Sequence, residues 1–206
     1  MAAAGQAANG KRRLIEAALR LAARKRSFGS LGLRELAREA GLNPNTFYRH
    51  FRDLDELGLA IIDEITGQLG TALREIRRSG ADTGEVARRT VEYFFDFVRR
   101  NPVAFMIGGR ELHGASPAMR RALRQVISDM ARDMAEDIRA GGLVPDLDDA
   151  ALAELTRMIV QQMSYLALEY LEHPKQRGAI VEQAVKFILM LIAGALALRD
   201  LGAARP

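Results

Sequence analysis

The chain of 206 residues contains no cysteine and no tryptophan, and it has only six prolines. The lack of cysteine excludes disulfides, iron–sulfur clusters, zinc fingers and thiol nucleophiles, and it suits a reducing compartment. The opening MAAAGQAANG has no cationic start followed by an apolar stretch, so no secretory signal is predicted and we expect a cytoplasmic protein. With 49% hydrophobic residues, the chain is apolar enough to bury a sizeable core.

The sequence has one long uncharged apolar run, FILMLIAGALAL, at residues 187–198. A membrane-spanning helix requires roughly 20 such residues, so the run is too short to cross a bilayer. We therefore predict a helix buried in a soluble protein, with no membrane partner.

Signatures of catalysis and of metal binding are also missing. The sequence contains no Gly-x-Ser-x-Gly elbow, no phosphate-binding loop and no dinucleotide fingerprint. His113 and His173 stand alone beside Gly114 and Pro174, which favours surface or helix-end roles over metal ligation. We predict no enzymatic activity, no cofactor and no metal site.

Charge is distributed unevenly along the chain. The first 52 residues hold 11 basic and 3 acidic side chains, although the whole chain has a net charge of only +4. A basic segment ahead of a mildly acidic remainder is typical of a polyanion-binding region, because neutralised phosphates supply most sequence-independent affinity. Arginines that merely coat solvated helix faces would give the same arithmetic, so charge alone leaves both interpretations open.

Helix formers dominate, with apolar residues three and four apart and no convincing alternation typical of strands. This pattern predicts an all-α fold of about nine helices. The expected helices lie at about residues 11–25, 33–40, 44–51, 53–78, 83–100, 102–113, 117–140, 148–172 and 175–201.

Residues 33–51, LRELAREAGLNPNTFYRHF, have the spacing of a helix-turn-helix. Ala37 is small where the second helix would cross, and Gly41 suits the turn. Leu36, Leu42 and Phe47 would form the apolar wedge between the two helices. Similar hairpins also occur in proteins that never touch nucleic acid, so the hairpin alone decides nothing.

Within this hairpin, Pro44 to Phe51 is the predicted recognition helix. Asn43, Asn45 and Thr46 would face base edges in the major groove, whereas Tyr48 and His50 would lie near phosphates. The full predicted DNA-contacting set is Arg34, Asn43, Asn45, Thr46, Tyr48, Arg49, His50 and Arg52.

The basic first helix, the LRELAREAGL run, the FYRHF segment and the following DEL together resemble the TetR family of bacterial transcriptional repressors over about residues 11–65. The resemblance implies a homodimer that binds a DNA operator and pairs through its last two helices. It also implies a DNA-binding domain at 11–52 and a ligand-binding and dimerisation domain at 53–206, and the small residues at 1–10 predict a disordered tail. Many members have a lysine where this chain has Leu54, and Arg52 is the expected substitute for its phosphate contact.

Residues 47–59 and 101–120 are further similar to the FabR and DesT branch of the family, which regulates unsaturated fatty acid synthesis and acyl desaturation and senses long-chain acyl-CoA. This likeness implies a hydrophobic effector, with acyl-CoA as the first candidate. Two alternatives stay open: a TetR-like regulator of an efflux system that senses a hydrophobic drug, and a helical adaptor that binds only proteins.

Aromatic residues and methionines of the body could line an apolar tunnel for such an effector, although residues at helical spacing are more often plain core. Arg110 is the charged candidate there; the alternative is an Arg110–Glu111 pair that only fixes its helix. The predicted ligand-binding set is Tyr93, Phe97, Phe105, Met106, Arg110, Met130 and Met158.

The last two helices carry apolar stripes that could form an intersubunit four-helix bundle. The alternative is that the last helix is the central core of a monomer. The candidate interface residues are Met158, Met163, Leu166, Tyr170, Ile180, Ala184, Phe187, Leu191 and Ala195.

Overall fold

The structure is a computed structural model that describes residues 2–25, 28–79 and 82–203. Within these ranges it contains nine α-helices and no strand, which confirms the all-α prediction. A single 3-10 turn, Pro174–Gln176, separates the last two helices. The helices are α1 (Ala2–Lys25), α2 (Leu33–Glu39), α3 (Pro44–Phe47), α4 (Leu54–Arg77), α5 (Thr83–Arg100), α6 (Pro102–Glu111), α7 (Pro117–Gly141), α8 (Asp149–Glu172) and α9 (Arg177–Ala203).

The N-terminal segment differs from the expected disordered tail. Helix α1 begins at Ala2 rather than near Lys11, so residues 2–10 are helical, while Met1 lies outside the described residues. Alanine has the highest intrinsic helix propensity, and a helix already formed over 11–25 extends at little cost into an alanine-rich stretch. A stretch of small residues therefore does not by itself indicate disorder when it adjoins a helix.

Contacts divide the chain into two compact units. The first unit comprises Met1–Ile65 and Pro102–Arg124, and the second comprises Thr66–Asn101 and Gln125–Pro206. This division differs from the expected boundary at residue 52, because it places the start of α4, all of α6 and the start of α7 with the N-terminal helices. Two of the three boundaries fall inside helices, in α4 and in α7, and the third lies between α5 and α6.

The first unit is organised around a continuous apolar core. Leu14 of α1, Leu36 of α2, Phe47 of α3 and Leu57 of α4 are fully buried together. Ile107 of α6 belongs to the same cluster, which explains why α6 groups with the N-terminal helices. Of the predicted wedge, Leu36 and Phe47 lie inside this core, and Leu42 packs against it.

In the second unit, α5, α8 and α9 pack against one another. The Phe95 ring of α5 lies 4.7 Å, centroid to centroid, from the Tyr170 ring of α8. At the surface, Arg88 of α5 makes a bidentate pair with Glu182 of α9, with N–O distances of 2.6 and 3.0 Å. Helix α9 thus contacts α5 both through buried apolar side chains and through this ion pair.

A buried aspartate joins the end of α4 to α7 within the second unit. Asp137 is almost fully buried and accepts contacts from three guanidinium groups. The N–O distances are 3.5 Å to Arg74, 3.3 Å to Arg77 and 2.9 Å to Arg78. Arg77 is itself buried, and desolvation lowers its pKa, whereas the charge of Asp137 opposes that shift.

Helix α9 is not the buried helix that the sequence predicted. By length and composition, residues Pro174–Leu201 could cross a membrane. Their most apolar stretch of 18 residues has a mean hydropathy of 1.9, and only 22% of that stretch is buried. The exposed side chains include Met190, Leu198 and Leu201. Exposed apolar faces of this size are typical of interaction surfaces.

Candidate nucleic-acid interface

The turn between α2 and α3 has the geometry that the sequence pattern predicted. Gly41 adopts a φ of 63°, a left-handed conformation that favours glycine. Its carbonyl oxygen accepts a hydrogen bond from Arg13 Nη2 at 3.0 Å, which ties the turn to α1. The amide of Leu42 donates to the carbonyl oxygen of Ala37 at 2.9 Å and so closes the end of α2.

Asn43 caps the N-terminus of α3. Its Oδ1 accepts a hydrogen bond from the backbone amide of Asn45 at 2.9 Å, and Pro44 occupies the first turn. The predicted base contact of Asn43 therefore competes with helix capping, which uses one of the two lone pairs of its Oδ1.

Helix α3 is shorter than the recognition helix expected at 44–51. It ends at Phe47, and residues 48–50 form turns in which the amide of His50 donates to the carbonyl oxygen of Phe47 at 2.9 Å. Phe47 and Phe51 are both buried, with ring centroids 5.8 Å apart. The core anchors these two aromatic residues, and the amide of Phe51 donates to the carbonyl oxygen of Phe47 at 3.0 Å, which closes the turns between them.

Several of the residues predicted to contact DNA are exposed in and just after α3. Asn45, Tyr48 and Arg49 are exposed, and Thr46 is half-buried. The Tyr48 side chain is 62% exposed, and its ring packs edge-on against Phe47 at 5.6 Å. The structure thus presents an amide, a phenol and a guanidinium on one short stretch of chain.

His50 lies partly inside the first unit. A Cβ added at Gly10 of α1 would come within 2.6 Å of His50 Nε2, so the imidazole packs against the α1 backbone. His50 is half-buried. Part of the ring therefore serves packing rather than the predicted phosphate contact.

Arg52 is engaged at the start of α4. Its backbone amide and its Nε both donate to Glu56 Oε2, at 2.6 and 3.1 Å, and these bonds lower the pKa of Glu56. Asp53 Oδ1 accepts from the Glu56 amide at 2.8 Å and caps the helix. The expectation that Arg52 replaces the missing lysine thus competes with an ion pair already present in the protein.

Other basic residues of the first unit are held by its own carboxylates. Glu39 accepts from Arg20 at 3.0 Å and from Arg24 at 2.6 Å, and these bonds lower the pKa of Glu39. Lys25 donates to Glu35 at 2.5 Å. Much of the basic excess counted in the sequence is therefore compensated internally.

Three exposed arginines near the turn have no ion pair among the described residues: Arg34 and Arg38 of α2, and Arg49 after α3. Arg38 was missing from the predicted set. Its spacing of four residues from Arg34 places both on one face of α2, and this helical period could have identified it.

The predicted ligand-binding residues are divided between the two units. Phe105, Met106 and Arg110 belong to the first unit, whereas the remaining residues belong to the second. Tyr93 and Phe97 stack with ring centroids 6.4 Å apart. Of the residues in the second unit, Phe97 is buried, Tyr93 and Met130 are half-buried, and Met158 is exposed.

A surface hollow of about 360 Å³ lies between α5 and α9. It contains none of the predicted ligand-binding residues. Its lining is Arg88, Glu182, Val185, Lys186, Leu189, Met190 and Ala193.

Arg110 and Glu111 have opposite environments on α6. Glu111 is buried, whereas Arg110 is exposed. A Cβ at Gly114 would lie 2.3 Å from Glu111 Oε2, so this carboxylate packs against the loop that follows α6. Glu111 therefore fixes the end of the helix, and Arg110 points away from the core.

The predicted intersubunit stripe is wrong for five of its nine residues, which are core within the single chain. Met163, Leu166, Tyr170, Ile180 and Ala184 are all buried. Hydrophobic periodicity identifies the buried face but does not separate burial within a protomer from burial between protomers. The large apolar side chains exposed on α8 and α9 are Met158, Tyr165, Leu189, Met190, Leu198 and Leu201.

His173, which the sequence pattern predicted to stand alone, lies beside two glutamates at the end of α8. Candidate ligand atoms of Glu169, Glu172 and His173 lie within 4.8 Å of one another. His173 Nδ1 contacts the Glu169 carbonyl oxygen at 3.1 Å, and Tyr165 donates to the Glu169 carboxylate, which raises the pKa of Tyr165. These hydrogen bonds are those of a capped helix end, and they explain why the three side chains lie close together.

Comparisons with solved structures agree on the fold. The fatty acid degradation regulator FadR from Bacillus halodurans is 17% identical with a TM-score of 0.74, over 87% of this chain and 94% of that one. FadR from Bacillus subtilis, solved in complex with stearoyl-CoA, is 16% identical with a TM-score of 0.69, over 89% and 98%. A tetR-family regulator from Streptomyces coelicolor is 20% identical with a TM-score of 0.70, over 94% and 85%.

Family models cover most of the chain. Residues 14–61 match the model described as bacterial regulatory proteins, tetR family, and residues 83–191 match the tetracyclin repressor-like C-terminal domain. The first match contains the α2–turn–α3 hairpin, and the second runs from α5 into α9. The chain belongs to the TetR family of bacterial transcriptional regulators.

Proposed function

We propose that this regulator is a cytoplasmic repressor that binds a near-palindromic operator as a homodimer and is controlled by a hydrophobic effector. The observation that carries the proposal is the α2–turn–α3 hairpin, which presents Asn45 and Tyr48 beside arginines without carboxylate partners. Arginines that are not compensated within the protein remain available for DNA phosphates.

Each exposed group near α3 has chemistry suited to DNA. The Asn45 side chain can bond an adenine edge in bidentate fashion, and the Tyr48 hydroxyl can donate to a phosphate. Arg34, Arg38 and Arg49 supply charge for the backbone on either side. The amide therefore specifies sequence, while the cations set affinity and register.

A second copy of the chain is the proposed occupant of the exposed apolar face of α9. Met190, Gly194, Ala197 and Leu201 follow one another at intervals of four, three and four residues and share one side of the helix. Small residues at two of these positions allow two helices to approach closely. A two-fold dimer also places two recognition segments on half-sites about 34–36 Å apart, or a multiple of that distance.

Long-chain acyl-CoA is the proposed effector class. The support is the likeness of residues 47–59 and 101–120 to the fatty acid branch, together with a shared fold with a FadR that was solved with stearoyl-CoA. An effector shifts operator binding only through a difference in its affinity for the two states, ordinarily about 1–3 kcal/mol of coupling.

The test starts with an operator selected from random-sequence DNA by the wild-type protein. The N45A and Y48A variants should bind it more weakly, by about 1–3 kcal/mol each, while remaining folded. Arg49→Gln should lower affinity on every sequence and reduce the salt slope by about one unit. Arg20→Gln is the matched control, because Glu39 already holds Arg20.

Loss of sequence-selective binding in N45A with an unchanged Arg20→Gln variant supports the DNA-binding assignment. Failure of the wild type to select any sequence would leave the protein as a helical adaptor and would overturn the proposal. A panel of stearoyl-CoA and hydrophobic drugs, scored by release or strengthening of operator binding, tests the effector class separately.

A further inference from the structure

Arginines in this protein usually have carboxylate partners. From α4 to α9, ion pairs hold most of them, as in Arg88 with Glu182, Arg132 with Asp129 and Arg139 with Asp149. Others bond backbone carbonyls or stack on rings, as Arg177 does on Tyr170 at 4.9 Å.

Arg121 and Arg124 of α7 depart from this rule. Both are exposed, and neither has an ion pair, hydrogen bond or ring contact among the described residues. They are three positions apart on one helix and therefore share a face. Two neighbouring guanidinium groups without a partner repel each other, and an external anion would relieve that repulsion.

The segment of chain that carries them is poor in acidic residues. Within residues 102–124, the sequence has four arginines and one acidic residue, Glu111, which is buried. Arg110 of α6 is also exposed and belongs to the same unit. The exposed surface of this segment is thus basic.

The first turns of α7 form a rigid platform for the two arginines. Met119 is 2% exposed and packs where Gly58 of α4 leaves room for it. Arg120 Nη1 donates to the carbonyl oxygens of Gly114 and Ala115, the latter at 2.8 Å. A preorganised backbone reduces the ordering cost of binding a ligand.

We propose that Arg121 and Arg124 bind the phosphate groups of the nucleotide part of an acyl-CoA effector. This inference rests on the proposed function. Coenzyme A carries a diphosphate and a 3′-phosphate, and guanidinium groups bond such oxygens in bidentate fashion. It assigns a role to residues that the sequence analysis left without one.

Apolar surface in the same unit favours this ligand over a DNA backbone. Phe105 and Met106 of α6 are half-exposed, and a Cβ at Gly108 would lie 3.8 Å from Leu123 Cδ2, so α6 packs alongside this part of α7. A molecule with both phosphates and an apolar portion fits such a mixed surface. Duplex DNA would use the phosphate contacts only.

The experiment compares two thioesters that differ only in phosphates. Stearoyl-CoA and S-stearoyl-pantetheine are titrated against the wild type, the Arg121→Gln/Arg124→Gln double variant and the Arg132→Gln control. Arg132 lies on the same helix but is paired with Asp129 at 2.6 Å. The double variant should bind stearoyl-CoA at least about tenfold more weakly, with a shallower salt dependence, because it loses charge-assisted hydrogen bonds.

The double variant should bind S-stearoyl-pantetheine as the wild type does and bind the operator normally without effector. Unchanged affinity for stearoyl-CoA overturns this inference and leaves the proposed function intact. Equal losses with both thioesters, or a loss of effector-free operator binding, also overturn it, because the arginines would then serve packing or DNA. If the wild type binds no stearoyl-CoA, the proposed effector fails along with this inference, while operator binding still reports on the repressor.

Discussion

Ser116 Oγ donates a hydrogen bond to Asp55 Oδ2 at 2.9 Å and thereby ties the residue before α7 to the first turn of α4. The same hydroxyl oxygen accepts from the Met119 amide at 3.2 Å and caps α7. Asp55 lies close in sequence to Arg52 and to the predicted recognition segment. Any movement of the start of α7 must therefore stretch this bond or carry the start of α4 with it.

Position 58 requires glycine because the side chain of Met119 lies so close, and not because of its backbone conformation. A Cβ there would lie 2.7 Å from Met119 Sδ and 3.1 Å from Phe28, in a closely packed core. We expect Gly58→Ala to lower the free energy of unfolding by about 1–3 kcal/mol through overpacking. Urea denaturation followed by circular dichroism measures this change.

Gly67 is the matched control on the same helix, since a Cβ there meets nothing within 4 Å. Gly67→Ala should raise stability by up to about 1 kcal/mol, because alanine favours a helix over glycine. A Gly58→Ala variant as stable as Gly67→Ala would contradict the close contact with Met119.

Asp137 should be the costliest single charge to remove. Asp137→Asn leaves Arg77 buried without its counter-ion, and breaking a buried pair in this way costs about 3–5 kcal/mol. Asp133→Asn is the control, because Asp133 is partly exposed and lies 3.6 Å from Arg74. That change should cost no more than about 1 kcal/mol, and similar losses in both variants would refute the special role of Asp137.

Acid should weaken the first unit through Glu39. The hydrogen bonds from Arg24 and Arg20 hold the pKa of Glu39 below its ordinary value. A carboxylate with a lowered folded-state pKa stabilises the fold above its unfolded pKa, roughly 4.3, and loses that contribution as the pH falls through the folded value.

Denaturation midpoints measured from pH 6 down to pH 3 should therefore fall in the wild type below about pH 4.3. The Glu39→Gln variant should show a smaller fall over the same window, because it has no carboxylate to protonate. If the denaturation midpoints of the two proteins fell equally with pH, Glu39 would make no contribution to the acid sensitivity of the fold.

The exposed face of α9 should control association. Met190 is 63% exposed in the protomer, so Met190→Glu should leave the protomer folded while placing a charge on the proposed dimer surface. Sedimentation velocity should then show monomers at concentrations where the wild type is dimeric. Leu59→Glu, at a position 37% exposed on α4, is the control and should remain dimeric.

The helices and the hairpin could be predicted because their signals are local. Gly41, Asn43 and Pro44 each specify a turn or a cap through their own chemistry, and the structure uses them as expected. Hydrophobic spacing placed the helices but did not decide which faces meet in one protomer. Ile180 and Ala184 were assigned to a subunit interface for this reason, although they are core.

The sequence also could not show which charged residues, far apart along the chain, form ion pairs. Nothing in the spacing of Arg20 and Glu39 shows that they meet, since 19 positions separate them and the contact depends on how α1 crosses α2. The ion pair between Arg52 and Glu56 was not predicted either, although only four positions separate the two residues. The partners of individual side chains could therefore be identified only from the three-dimensional structure, whereas the fold could be predicted from the sequence.

The first unit is built from two separate stretches of chain, with Ile107 and Met119 supplied by the second stretch. A graft that moved only residues 1–65 onto the body of a relative would pack this core against the relative's residues in place of those two side chains. A complete transfer of this core therefore has to carry residues 102–124 together with residues 1–65, which a single crossover point cannot do.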